Sequence, residues 1–128
     1  MEVLSSRLLI RPRDPETTTA FYREVLGLAV YREFPGGTVF FLGQSLLEVS
    51  GSSDAESMVS PVTQLWLQVR DLRGTTAELK LRGVPVLREP RREPWGLEEM
   101  WIADPDGLRI VLVEVPEGHP IRTDTRRR

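Results

Sequence analysis

Short apolar alternations of period two, interrupted once in each half by a segment of helical period, run along the whole chain. Val3 to Pro12 places Leu8 and Ile10 on one side and Arg7, Leu9 and Arg11 on the other, as in a strand with one buried face. Asp14-Pro15-Glu16 then opens a helix: Asp caps free amides, Pro suits the first helical position, and Glu complements the dipole. Ala20, Phe21 and Val25, with Leu26, give that helix an apolar stripe, and Gly27 ends it. Leu28–Phe34, Thr38–Leu42 and Ser45–Ser50 read as strands, parted by turns at Pro35-Gly36-Gly37 and Gly43-Gln44. The order is β-α-β-β-β.

The second half repeats it. Val62–Val69 reads as a strand, Asp71 caps a helix with Leu72, Thr76 and Leu79 on one face, and Gly83 stops it. Val84–Glu89, Leu97–Ala103 and Leu108–Val115 read as strands, with a longer loop at Pro90–Gly96 and a turn at Asp104-Pro105-Asp106-Gly107. The residues themselves repeat. Shifted by 57, Arg13-Asp14 falls on Arg70-Asp71 and Thr18-Thr19-Ala20 on Thr75-Thr76-Ala77. Shifted by 56, Gly27, Val30 and Arg32-Glu33 meet Gly83, Val86 and Arg88-Glu89. This is an internal duplication. It predicts one domain over 1–116, with modules 3–50 and 62–115 joined by a linker at 51–61, and a flexible tail at 117–128.

The predicted fold class is α+β: two βαβββ modules forming a curved mixed sheet around a cup. Each helix covers one sheet face and leaves the other open to a shared concavity. Strand parity turns Arg7, Leu9 and Arg11, Leu46, Glu48 and Ser50, Gln64, Trp66 and Gln68, and Arg109, Val111 and Val113 toward the cup. Phe40 and Phe41 are adjacent, so one faces the cup and the other the helix; the pattern does not say which.

Composition narrows the function. The 128 residues carry a net charge of −2, which gives no reason to expect nucleic acid. No apolar run is long enough to span a bilayer, no signal region opens the chain, and a cytoplasmic location is expected. Cysteine is absent, which excludes disulfides, thiolate metal sites and a cysteine nucleophile. The single histidine, His119, falls in the tail, away from any strand that could use it as a base.

The signature D-x-x-x-(T/S)-x-x-F-Y-x-x-V-L-G-L at Asp14–Leu28, the paired modules and the D-P-D-G turn resemble the vicinal oxygen chelate superfamily, over essentially Val3–Glu114. That superfamily includes glyoxalase I, bleomycin resistance proteins, extradiol dioxygenases and fosfomycin resistance enzymes. The resemblance implies metal ligands at equivalent positions of the two modules, which here are Arg7 and Gln64 on the first strands and Glu48 and Val111 on the last. Glu48 is a good ligand for a divalent ion, Gln64 a weak one, and Arg7 and Val111 cannot serve. The P-W-G at Pro94–Gly96 resembles the bleomycin-resistance branch, whose members bind drugs without metal catalysis in the protein and are usually dimers.

The reading that follows is a metal-independent binding protein for an antibiotic or aromatic metabolite. No cofactor is expected, and the partners are a small-molecule ligand and a second copy in a homodimer. Arg7, Glu48, Gln64, Trp66, Arg109, Val111 and Trp95 are the candidate ligand-binding residues. Arg7 and Glu48 form either an ion pair that holds a ligand or a pair that only satisfies itself, or Arg7 reaches solvent. Trp66, Trp95 and Trp101 line a pocket or pack in the core or a dimer contact. Two alternatives stand beside this reading. One is a lyase, isomerase or dioxygenase using Glu48 as metal ligand or as general base, with a divalent metal held by Glu48 and Gln64. The other is an interaction module whose cup is plugged by its own side chains.

Overall fold

The computed structural model describes residues 1–51 and 62–119. The chain divides into two compact units, Met1–Val59 and Ser60–Arg128. The first holds β1 (Leu8–Ile10), α1 (Pro15–Ala20) running into a π-helical turn (Phe21–Val25), β2 (Val30–Phe34), β3 (Gly37–Leu42) and β4 (Ser45–Ser50). The second holds β5 (Gln64–Gln68), α2 (Leu72–Leu81), β6 (Arg88–Arg92), β7 (Glu98–Ala103) and β8 (Arg109–Glu114). Each unit is a four-stranded mixed sheet, ordered β1-β4-β3-β2 and β5-β8-β7-β6. In both, the first and last strands pair in parallel and the other pairs are antiparallel. The fold is α+β, built from two similar modules. The predicted linker, apart from Gly51, and the tail beyond His119 lie outside the described residues. Among the described residues no helix is long and apolar enough to cross a membrane.

Both helices start as the sequence predicts. Asp14 takes the Thr17 amide at 3.2 Å and the Thr17 hydroxyl at 2.6 Å, while Asp71 takes the Gly74 amide at 3.1 Å. A second carboxylate, Glu114 at the end of β8, accepts from the Leu72 amide at 2.8 Å. Two of the free amides of α2 are thus bonded, and the helix is fastened to the central strand. Leu72, Thr76 and Leu79 are its buried face, as expected; the Thr76 hydroxyl donates to the Leu72 carbonyl at 2.6 Å. The stripe on the first helix differs from expectation. Thr18, Phe21 and Tyr22 are buried, whereas Val25 and Leu26 are only partly so. The cause is the π-helical turn, in which Leu26 N–H reaches back five residues to the Phe21 carbonyl at 2.9 Å. The widened turn rotates the inward face, so that Tyr22 packs on Phe40 at 6.3 Å between ring centroids.

Register settles which residues share a face. Phe40 pairs with Leu47 and both are fully buried on the helix side; Phe41 pairs with Leu46 on the open side. In the second module Met100 and Ile102 pair with Leu112 and Ile110 beneath α2. The second strand of the second module shifts: expected at Val84–Glu89, it lies at Arg88–Arg92, sharing only Arg88 and Glu89 with the expectation and running into what was read as loop. Val84 is buried as an apolar anchor after Gly83, but ladder pairing with β7 begins only at Arg88↔Trp101.

The duplication extends to an ion pair. Arg23 near the end of the first helix pairs with Glu33 on β2, and Lys80 pairs with Glu89 on β6 at 2.8 Å. Arg23 and Lys80 stand at the 57-residue shift and the glutamates at 56. All four side chains are largely exposed, so the pairs set helix orientation more than they stabilise. The cap is the stronger local device. Asp71→Ala is expected to lower unfolding free energy by about 1 kcal/mol in urea denaturation, while Arg23→Ala leaves the midpoint nearly unchanged.

Candidate functional site

The open face of each sheet is read from one row of cross-strand partners. In the first module the row runs Leu9, Glu48, Val39, Arg32; in the second, Trp66, Val111, Trp101, Arg88. Leu9 and Trp66 are 57 residues apart and Arg32 and Arg88 are 56 apart, so the two rows correspond position by position. Glu48 and Val111 therefore occupy equivalent places, and Arg7 and Gln64 flank them equivalently.

Glu48 is held from both sides. Arg7 Nη1 lies 2.8 Å from Oε1, and the Ser50 hydroxyl donates to Oε2 at 2.7 Å. The Arg7 side chain is 37% exposed and that of Glu48 17%, so the pair is partly open to water. The Ser50 hydrogen bond, then that of Arg7, with the Arg7 and Arg11 charges added, outweigh desolvation and keep the Glu48 carboxyl below its ordinary value of 4.5.

The open face of the second module carries aromatic and cationic groups. Trp66 is 48% exposed. Val111 is buried with Leu97, Val113 and Val115, and Trp101 packs against this cluster. Two guanidinium carbons lie over the Trp101 ring, Arg88 at 4.1 Å and Arg109 at 4.4 Å from its centroid. Arg88 also pairs with the buried Glu93, which Arg91 approaches at 3.4 Å. Burial alone would push the Glu93 carboxyl up, but the Arg88 hydrogen bond and charge, reinforced by Arg91, hold it below the ordinary value. Trp95 sits on the turn before β7; its indole N–H donates to Glu99 Oε2 at 2.7 Å, and its carbonyl lies 2.9 Å from His119 Nε2.

The structure thus brings Arg7 and Glu48 together in one module, and Gln64, Trp66, Val111 and Arg109 onto one face of the other. Trp95 is tied to Glu99 rather than standing free. Sequence reasoning missed Arg88, Glu93 and Glu99, and did not count Trp101 among the candidate ligand-binding residues. It also missed a groove of about 570 Å³ on the helix side of the first sheet, lined by Glu16, Thr19, Arg23, Glu33, Phe34 and Thr38 among others. That groove contains none of the seven candidate residues and lies against the opposite face from Glu48. The paired Arg32-Glu33 and Arg88-Glu89 were the one available signal for Arg88, because repetition marks the position at which each arginine meets the open face.

The donor set does not fit a divalent ion. Of the four indexed positions, Arg7 is a cation that spends its guanidinium on Glu48, Gln64 is a weak donor, and Val111 is an apolar side chain buried in an apolar cluster. Among the described residues no three His, Cys, Asp or Glu side chains group in a way that could hold a metal.

A family model described as the Glyoxalase/Bleomycin resistance protein/Dioxygenase superfamily matches residues 5–112. No curated protein matches the chain. Solved structures do. A lactoylglutathione lyase from Agrobacterium tumefaciens superposes with a TM-score of 0.66 at 21% identity, covering 89% of this chain and 94% of that one. A glyoxalase/bleomycin resistance protein/dioxygenase from Nocardioides gives 0.71 at 17% identity, covering 92% and 87%. A glyoxalase-related enzyme from Fulvimarina pelagi gives 0.71 at 20% identity, covering 91% and 90%. At these identities the likeness is one of fold.

Because Glu48 titrates lower folded than unfolded, its contribution to stability is full above the unfolded value near 4.5 and is lost as pH falls through the folded value. Ser50→Ala is expected to raise the Glu48 pKa toward the ordinary value, read by carboxyl-carbon NMR titration. Arg7→Ala is expected to cost about 1 kcal/mol, the size of a solvent-screened pair. That cost should shrink as pH falls through the lowered folded value, where Glu48 protonates.

Proposed function

We propose that this chain, which belongs to the Glyoxalase/Bleomycin resistance protein/Dioxygenase superfamily, is a metal-independent binder of small apolar or aromatic molecules, an antibiotic or a metabolite. One observation carries the reading: the single carboxylate among the four indexed positions is already bonded by Arg7 and Ser50. A carboxylate with both oxygens bonded by donors gains less from a metal than a free one, and Arg7 would have to be displaced first. The same contacts argue against Glu48 as a general base. They hold its pKa down, whereas a base working near neutrality needs a raised one.

What such a protein can do is bind. The half-exposed Trp66 supplies flat apolar area. Gln64 and Arg109 supply polar orientation next to it. Burial of the ligand's rings would provide most of the affinity, and a few hydrogen bonds the selectivity.

A thermal-shift screen of the purified chain against a natural-product library, run with EDTA and with added zinc, nickel or manganese, tests this. At least one aromatic compound should raise the melting temperature equally under all conditions. At 100 times Kd the stabilisation would be about 2.7 kcal/mol. Stoichiometric divalent metal in the purified protein, or binding abolished by EDTA, would overturn the proposal.

A further inference from the structure

The charge on the open face of the second module is not balanced. Arg88 has Glu93, and Arg91 shares it. Glu99, the other carboxylate on that face, takes the Trp95 indole N–H. Arg109 has no carboxylate partner among the described residues; its guanidinium lies over Trp101 and is partly exposed. A guanidinium seated on an indole through its central carbon still has N–H groups to offer a carboxylate, which can take two of them. The ring beneath it fixes the fork's orientation, so less freedom is lost when an anion binds.

The surroundings of Arg109 extend this. Gln64 is its direct partner on the edge strand and is exposed, placing an amide beside the guanidinium. One row further along, Trp66 and Trp101 each pair with Val111, from either side. Their backbones therefore stand about 10 Å apart, two strand spacings. Trp101 already carries two guanidiniums, so Trp66, about half exposed, is the indole face left for a ligand ring. The first module has none of this. Its equivalents of Trp66, Trp101 and Val111 are Leu9, Val39 and Glu48, and Arg7 is committed to that glutamate.

We propose that the open face of the second module binds a flat aromatic carboxylate, with the carboxylate on the Arg109 guanidinium and Gln64, and the ring against Trp66. Trp101 acts as a positioning residue for Arg109. The assignment rests on the small-molecule-binding reading and specifies the ligand's charge and shape.

Isothermal titration of the full chain at pH 7 with naphthalene-2-carboxylate and its uncharged isostere naphthalene-2-carboxamide tests it. The carboxylate should bind more tightly by about tenfold, the value of one charge-assisted contact. Arg109→Gln should abolish that preference while leaving carboxamide binding in place. Arg109→Lys, which keeps the charge and loses the fork, should give an intermediate preference and guards against misfolding of the first variant. Trp66→Ala should weaken both probes alike. Equal binding of the two probes by the unaltered chain, or a preference that survives in Arg109→Gln, overturns the assignment. Carboxamide binding with the carboxylate excluded overturns it too, yet leaves the broader binding reading standing. If neither probe binds, the assignment falls, and the broader reading is decided separately by the library screen.

Discussion

Each module depends on the parallel pairing of its first strand with its last. β1 is only three residues long and pairs with nothing but β4, through Leu8, Leu9 and Ile10 against Leu47, Glu48 and Val49. That contact closes a chain segment of about forty residues and fixes which side chains of β1 meet each face of the sheet. A slip of one residue would turn Leu8 and Ile10 outward and take Arg7 away from Glu48. In the second module the same pairing is longer, from Gln64↔Arg109 to Gln68↔Val113, and it is what sets Trp66 beside Val111. The chemistry of both open faces is thus a by-product of two parallel contacts.

Much of this was legible in the sequence because it is local. Caps, glycine stops and period-two alternation are properties of adjacent residues; the duplication supplied the equivalence of position 7 with 64, and the family resemblance that of 48 with 111. What was not legible depends on partners distant in sequence. Tyr22 is buried because the helix widens by one residue near its end, which no pattern of apolar spacing announces. The apolar run at Val84–Leu87 looks more like a strand than the charged Arg88–Arg92 does. The latter is a strand because β7 supplies its hydrogen-bond partners. Glu93 reads as a solvated loop residue until Arg88 and Arg91 are brought against it.

The two modules handle charge differently on equivalent scaffolds. The first neutralises its carboxylate with an arginine from the neighbouring strand and a serine two residues on. The second uses aromatic faces: Trp101 receives two guanidiniums, one of them also paired with a buried glutamate. Arg88 Nε is buried without a hydrogen-bond partner, so the indole is what that part of the guanidinium meets. Desolvating an arginine in this way is tolerable because guanidinium is weakly hydrated and planar; a lysine at position 88 could not be accommodated likewise.

The burial of Val111 also bears on how reversible this arrangement is. Leu97, Val113, Val115 and Trp101 close around it, so a histidine or glutamate placed there would first open an apolar cluster and disturb the seat of two arginines. A histidine at position 7 would leave Glu48 with Ser50 alone. The steps at positions 7 and 111 thus lose pairing or packing before any coordination exists to offset the loss. Taken one substitution at a time, stability would fall before metal affinity could rise. The present side chains would be retained by history as much as by use.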